Sequence, residues 1–307
     1  MSANKIIEYI KRPKKVWEFL VFRNIIHISD KRYIEMKYEY KFGKKINLEN
    51  PQTFNEKLQW LKLYDRNPEY TKMVDKYEVK KYISNMIGEE YIIPTLGIYN
   101  KFKEINFNGL PNQFVLKCTH DSGSTIICKD KKKLKQKEVR AKINKALKNN
   151  YYYNGREWPY KNVKPRIIVE KYMEDYTGFL IDYKIYAFNG KCDYVMICVD
   201  REKENEKTKF IYYDKEWNIK KELSDDGKKY GDNINLKKPK NLDKMFEIAS
   251  KLSKDIPFVR VDFYEIDGKL YFGELTFFPS GGFDNKRTRE MTKYLDDSLV
   301  INTKGGI

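Results

Sequence analysis

Asp262 and Glu274 lie twelve positions apart in the most strand-like stretch of the chain, residues 258–278, on either side of an Asp267-Gly268 turn signal. Aromatic and β-branched residues crowd both arms, so the stretch reads as a β-hairpin. Side chains alternate along a strand, so the loop length decides whether the two acids share a face. A two-residue loop at Asp267-Gly268 separates them. An odd-length loop, with Gly in the left-handed position, unites them. On the second reading Arg260, Asp262 and Tyr264 stand beside Phe272, Glu274 and Thr276. Val259, Val261, Phe263, Tyr271, Gly273, Leu275 and Phe277 then form the core face. Hard carboxylate oxygens beside a basic residue suit a Mg²⁺ site whose shell is completed by substrate phosphates. The polar outer face of an antiparallel sheet has the same composition, and both readings stand at this point.

Other candidates are scattered upstream. Lys117 ends a strand and is followed by Ser122-Gly123-Ser124, a small-residue loop whose backbone N–H groups could cradle phosphate. It is not a Walker A loop, because GxxxxGK[ST] occurs nowhere. Glu170-Lys171-Tyr172-Met173 closes another strand at a handover between lobes, where backbone groups could meet a planar base and Glu170 a ribose. Asp182 and Lys184 share one strand face, opposite Ile181, Tyr183 and Ile185. Of the two histidines, His27 and His120, the second could touch phosphate but reads better as a structural or capping group. No GxSxG elbow is present.

The elements that must hold these residues can be outlined. Thr53 and Glu56 form a capping box that opens a helix through Tyr64, and a second helix is expected over about 72–87, ending at Gly88. Short strands are expected at 91–93, 113–117 and 126–129, then a Lys-rich helix over 131–149. Further strands follow at 167–172, 181–188, 193–199 and 210–214, with a helix near 241–254 before the hairpin. Segment 201–240 is charged and turn-rich. The order predicts an α+β fold with a ligand between a small mixed lobe and a larger, mainly antiparallel one. The expected division is a basic, mainly helical region 1–89, a small lobe 90–165 carrying the phosphate loop, and a large lobe 166–307 carrying the metal site.

The chain has 307 residues, 41% hydrophobic and 15% aromatic, which excludes general disorder, and a net charge of +17. No recognition helix, RNA-binding signature or Cys/His finger accompanies the charge, so nucleic acid is not the expected partner. Residues 1–46 hold twelve basic against five acidic residues, interleaved with large apolar ones. Such a stretch suits an amphipathic helix docked on its own domain or a peripheral contact with an anionic membrane or polymer. Cys118, Cys128, Cys192 and Cys198 show no CxxC spacing, and no run of about 18 apolar residues is present. A cytoplasmic location, with possible membrane contact, is the expectation.

Taken in order, these segments resemble the ATP-grasp superfamily, and within it the TupA-like branch linked to teichuronopeptide and other surface-polysaccharide pathways. The resemblance rests on Asn50–Trp60, Asp75–Val79, Phe114–Gly123, Ile181–Gly190, Val259–Tyr264 and Phe272–Phe277, and covers about 50–283. It implies that Lys76 and Lys117 contact the phosphates of ATP while the Thr119–Thr125 loop, with Ser122, Gly123 and Ser124, folds over them. Glu170, Lys171 and Met173 would frame adenine and ribose. Lys184 would reach phosphates or acceptor, and Asp262 and Glu274 would ligate Mg²⁺. Arg260, on the same face as the acid pair, is the candidate for stabilising the transferring phosphoryl group or the substrate carboxylate, or equally for a salt bridge to Glu274. Two departures stand out: Thr276 occupies the position where many relatives carry Asn, and Asp121 the position of the loop's usual second Gly. The implied activity is an ATP-dependent carboxylate–amine ligase that joins a uronic acid or amino acid unit to an amine. A metal-dependent glycosyltransferase of the same pathways and a non-catalytic nucleotide- or polyanion-binding protein are the competing readings.

Overall fold

The computed structural model describes residues 13–174, 180–199 and 207–303. Two helices, α1 (Pro13–Phe22) and α2 (Asp30–Phe42), come first. They enclose a small core of Val21, Tyr33, Ile34 and Met36, against which Leu63 packs. The basic segment is therefore docked on the body over its described part; Ile6, Ile7 and Ile10 lie outside the described residues. Helix α3 (Phe54–Tyr64) opens on the expected capping box, with the Thr53 hydroxyl accepting from Glu56 N–H and the Glu56 carboxylate accepting from the backbone of Thr53.

The helix expected over 72–87 is two helices, α4 (Glu69–Val74) and α5 (Glu78–Ile87). Asp75 causes the break: it is extended, and its carboxylate accepts from Tyr77 N–H at 2.9 Å, a local bond that competes with helix continuation. Lys76 sits in the gap. The strand expected at 91–93 falls instead at β1 (Thr95–Tyr99), after one turn of 3-10 helix at Glu89–Tyr91.

Two antiparallel sheets follow. The first contains β1, β2 (Phe114–Cys118), β3 (Ile126–Cys128) and β4 (Ile167–Lys171) in the order β1-β4-β2-β3. Helix α6 (Gln136–Lys148) buries Val139 and Ile143 in that sheet's core. β4, which follows the lobe boundary expected at 165/166, pairs with both β1 and β2. The second sheet contains β5 (Tyr183–Ala187), β6 (Val195–Val199), β7 (Lys209–Tyr213), β8 (Val259–Ile266) and β9 (Lys269–Thr276), ordered β7-β6-β5-β8-β9. The remaining α-helices among the described residues are α7 (Tyr152–Gly155), α8 (Asp225–Tyr230), α9 (Leu242–Leu252) and α10 (Arg289–Ser298). The largest core joins the second sheet to α9, α10 and also to α3–α5.

The hairpin reaches the expected face by a different route. Its loop has two residues, Asp267 (φ 52°) and Gly268 (φ 75°), both left-handed as a tight hairpin turn requires. That loop alone would place Asp262 opposite residue 273. A β-bulge between Asp262 and Phe263 shifts the ladder by one, leaving Gly273 as the extra residue and pairing Asp262 with Glu274. Beyond the bulge the faces differ from expectation: Phe272 is buried opposite Phe263, while Tyr271 pairs with the half-buried Tyr264. A Cβ at position 273 would lie 3.0 Å from the Asp262 carbonyl oxygen, which explains glycine at the bulge.

Candidate active site

Register on the second sheet aligns three charged side chains. Lys184 on β5 pairs with Asp262 on β8, which pairs with Glu274 on β9. In the next row Tyr186, Arg260 and Thr276 are paired likewise. Asp262 is 1% exposed, yet both its oxygens are held: Oδ1 accepts from Arg260 Nε at 2.6 Å, and Oδ2 from Arg260 Nη2 at 2.7 Å and Lys184 Nζ at 2.5 Å. Burial alone would raise its pKa; the Arg260 and Lys184 charges override this and hold the carboxyl below its ordinary range. Lys184 also lies 3.3 Å from Asp182.

Glu274 is more open, its side chain 49% exposed, and Arg260 Nη2 reaches its Oε1 at 3.2 Å. Thr276 braces the pair: its hydroxyl accepts from Arg260 Nη2 and donates to Glu274 Oε1, both at 3.0 Å. Thr276 thus orients the carboxylate next to it. Among the described residues no group of three or more acidic, His or Cys side chains converges as a self-sufficient metal site. Two hard carboxylates in adjacent register match the donors Mg²⁺ takes when phosphates and water supply the remaining ligands; Glu274 is open to the ion, whereas Asp262 would have to exchange an Arg260 or Lys184 bond for it.

The first sheet contributes from the other side. Glu170 on β4 is buried, and it accepts from Lys117 Nζ on β2 at 2.6 Å and from Lys80 Nζ on α5 at 2.6 Å. Burial would raise its pKa, but the two ammonium groups hold it below the ordinary range. Lys76 is fixed at the α4–α5 break by its N–H on the Thr119 carbonyl, while Nζ donates to the Asp121 carbonyl. Burial lowers the Lys76 pKa, with Glu274 acting against that and Lys117 reinforcing it. Lys76 is therefore within electrostatic reach of both Glu274 on the second sheet and Lys117 on the first. Arg166 steadies the gap by donating to Asp75 at 2.7 Å and Glu78 at 2.9 Å.

In the loop after β2, Asp121 has a local role that its sequence position did not suggest. Its carboxylate accepts from the Ser124 hydroxyl at 2.6 Å, and that hydroxyl accepts from Cys118 N–H at 2.8 Å. Asp121 and Ser124 are buried braces, and exposed Ser122 and Gly123 (φ 102°) are left at the tip. His120 ties the loop to the end of α6: Nε2 lies 3.2 Å from the Ala146 carbonyl and 3.1 Å from that of Asn149. These contacts suit the structural role expected for it. At the strand end the Lys171 side chain is exposed and Met173 is half-buried.

The family model described as TupA-like ATPgrasp matches residues 56–300. The chain belongs to that family. No curated protein matches it. Among solved structures it is similar to a D-alanine–D-alanine ligase from Bacillus anthracis complexed with ATP, at 18% identity and TM-score 0.44 over 76% of this chain and 66% of that one. It is also similar to a D-alanine–D-alanine ligase from Helicobacter pylori, at 16% identity and TM-score 0.41 over 82% of this chain and 70% of the other. A third is the ATP-grasp ligase PsnB complexed with minimal precursor, Mg and ADP, at 12% identity and TM-score 0.38 over 73% and 57%. The chain spans about two thirds of the length of the Bacillus ligase.

Two residues of this TupA-like ATP-grasp chain escaped the sequence reading. Lys80 is one, although its spacing of four from Lys76 is the helical interval that could have flagged it. Lys62 is another: fully buried, it donates from Nζ to the carbonyls of Gly155 at 2.8 Å and Gly281 at 2.5 Å and to Gln59 Oε1 at 3.0 Å. It anchors the turn after β9, where Ser280, Gly281 and Gly282 are all left-handed. Burial drives the Lys62 pKa down to about 7 and that of nearby Glu157 up to about 7. A buried lysine inside an otherwise amphipathic helix gives no sequence signal distinct from a surface one.

Proposed function

We propose that the chain is an ATP-dependent carboxylate–amine ligase. The supporting observation is the Lys184–Asp262–Glu274 row on one antiparallel sheet and the Lys117–Glu170 pair on the other, with Lys76 within electrostatic reach of both Glu274 and Lys117. Lys76, Lys117 and the exposed tip of the Ser122-Gly123 loop bind the nucleotide phosphates, and Glu170, Lys171 and Met173 line the base and ribose end. Asp262 and Glu274 would hold Mg²⁺, which when bound would supply charge neutralisation on the phosphates.

Phosphoryl transfer asks for in-line positioning and charge compensation more than for a protein nucleophile. The substrate carboxylate oxygen attacks the γ-phosphorus of ATP and ADP leaves, giving an acylphosphate. The amine nitrogen then attacks the acyl carbon, phosphate leaves, and an amide remains after loss of a proton from nitrogen. Arg260, held by Asp262, Glu274 and Thr276, faces the transferring group, and Lys184 accompanies it. We place the carboxylate on a uronic acid or amino acid unit of a surface or capsular polysaccharide or its precursor. The basic segment 1–46 adds peripheral contact with an anionic membrane or polymer.

Calorimetry with Mg-ATP and, in parallel, UDP-sugars on the wild type and Lys117→Ala tests this reading. The expected result is Mg-ATP binding that the substitution abolishes. Binding of a UDP-sugar without ATP would overturn it in favour of a glycosyltransferase.

A further inference from the structure

Lys80 has no role in the reaction as described, yet its ammonium is the second cation on Glu170. It lies 2.6 Å from Glu170 Oε1 while Lys117 holds Oε2 at the same distance. It also donates to the Ile93 carbonyl at 2.7 Å and the Thr95 hydroxyl at 2.9 Å. Its helix, α5, is packed into the large-lobe core through Val79 and Ile83, whereas Glu170 and Thr95 are paired residues of the small-lobe sheet. The side chain therefore crosses from one lobe to the other.

We infer that Lys80 is a positioning residue for the nucleotide phosphates, acting through Glu170 on Lys117. The argument is electrostatic and rests on the proposed Mg-ATP site. The Glu170 side chain is 6% exposed, so its charge needs a partner. If Lys117 were the sole partner, drawing its ammonium towards a phosphate would strand a buried carboxylate, and that cost would be subtracted from nucleotide affinity. Lys80 keeps Glu170 compensated whichever way Lys117 points. Its two further acceptors at the start of β1 hold it there, so it cannot follow Lys117 to the ligand.

The test is calorimetric binding of Mg-ATP and of adenosine to the wild type, Lys80→Met, Lys80→Arg, Glu170→Gln and the Lys80→Met/Glu170→Gln double variant. Lys80→Met should weaken Mg-ATP about tenfold, the scale of one charge-assisted hydrogen bond, and leave adenosine unchanged. Lys80→Arg should restore most of the loss. In the Glu170→Gln background, Lys80→Met should change nothing further. Wild-type affinity in Lys80→Met, an equal loss for adenosine, or the same loss with and without Glu170 would each overturn the inference. Should Lys80→Met fail to fold, Lys80→Gln, which keeps a donor towards Ile93 and Thr95, gives the same comparison. Absence of Mg-ATP binding by the wild type would instead remove the ligase reading, and this inference with it.

Discussion

At the scale of single residues, the site contains carboxylates of two kinds. Asp262 and Glu170 are buried, and each is compensated by two cations. Glu274 is half-exposed and touched by Arg260 alone among the charged side chains described. Their responses to substitution should differ accordingly. Glu274→Gln keeps size, burial and the Thr276 bond, so the expected outcome is an unchanged melting temperature with Mg²⁺-dependent turnover of ATP abolished. Substantial remaining turnover would remove Glu274 as a metal ligand. Arg260→Leu strips Asp262 of its bidentate partner and leaves Lys184 alone on a buried charge, so a loss of roughly 3 kcal/mol in denaturant unfolding is expected. The pH dependence follows from the same pairs. Asp262 and Glu170 have folded pKa values held below their ordinary ones, so their stabilisation is fully present above the ordinary carboxylate range. It is lost as pH falls through the depressed values. Stability should therefore drop on acidification below about pH 4, the ordinary carboxylate range, and Glu170→Gln should shallow that drop when unfolding is followed against pH.

At the scale of elements, one glycine decides whether the acids meet. Gly273 is the extra residue that lets a two-residue turn deliver Asp262 opposite Glu274. In Gly273→Ala the new methyl would sit 3.0 Å from the Asp262 carbonyl oxygen and 3.1 Å from the Tyr264 ring. A cost of about 2 kcal/mol is expected in unfolding, together with weakened Mg²⁺ dependence of nucleotide binding, because the strain falls on the backbone of Asp262, which carries one of the two carboxylates. Unchanged Mg²⁺ dependence in a folded variant would show that the bulge is dispensable for the site. This hairpin also shows what was legible in the sequence. Alternation along Val259–Phe263 and the chemistry of Asp262 and Glu274 pointed to a shared face, and that face exists. The bulge did not show, because a glycine inside a strand signals either close approach or nothing, and Phe272 and Tyr271 were assigned to the wrong sides in consequence. The α4–α5 break was hidden for a similar reason: Met73, Val74, Tyr77 and Val79 keep a helical period straight through it, and the competing bond of Asp75 acts over two residues. The partnership of Lys80, Lys117 and Glu170 was invisible for a third reason. It joins positions 37 and 53 residues apart in succession through tertiary contact, and none of the three is unusual by itself.

At the scale of the molecule, the first 46 residues pose a question of division of labour. Val21, Tyr33, Ile34 and Met36 are buried there, the Tyr33 hydroxyl donates to the Asn154 carbonyl at 3.0 Å, and the Arg156 guanidinium lies 4.5 Å above the Tyr33 ring. Removing the segment would expose Leu63 and leave the buried Arg156 without that ring. Four buried side chains at about 1.5–3 kcal/mol each amount to a large share of a typical stability of about 5–15 kcal/mol. A chain beginning at residue 47 should therefore melt at least about 10 °C lower or fail to fold. The same segment carries exposed Arg23, Lys31, Lys41, Lys44 and Lys45 beside the exposed Trp17, Phe19, Ile25 and Tyr40. Charge reversal at Lys31, Lys41 and Lys44 separates the structural part from the proposed contact with anionic surfaces, since it leaves the small core intact. Such a variant should keep the wild-type melting temperature and Mg-ATP affinity yet no longer sediment with vesicles rich in anionic lipid. Undiminished sedimentation would confine the segment to its structural part, and an unchanged melting temperature after truncation would mean that the docked helices contribute little to the fold.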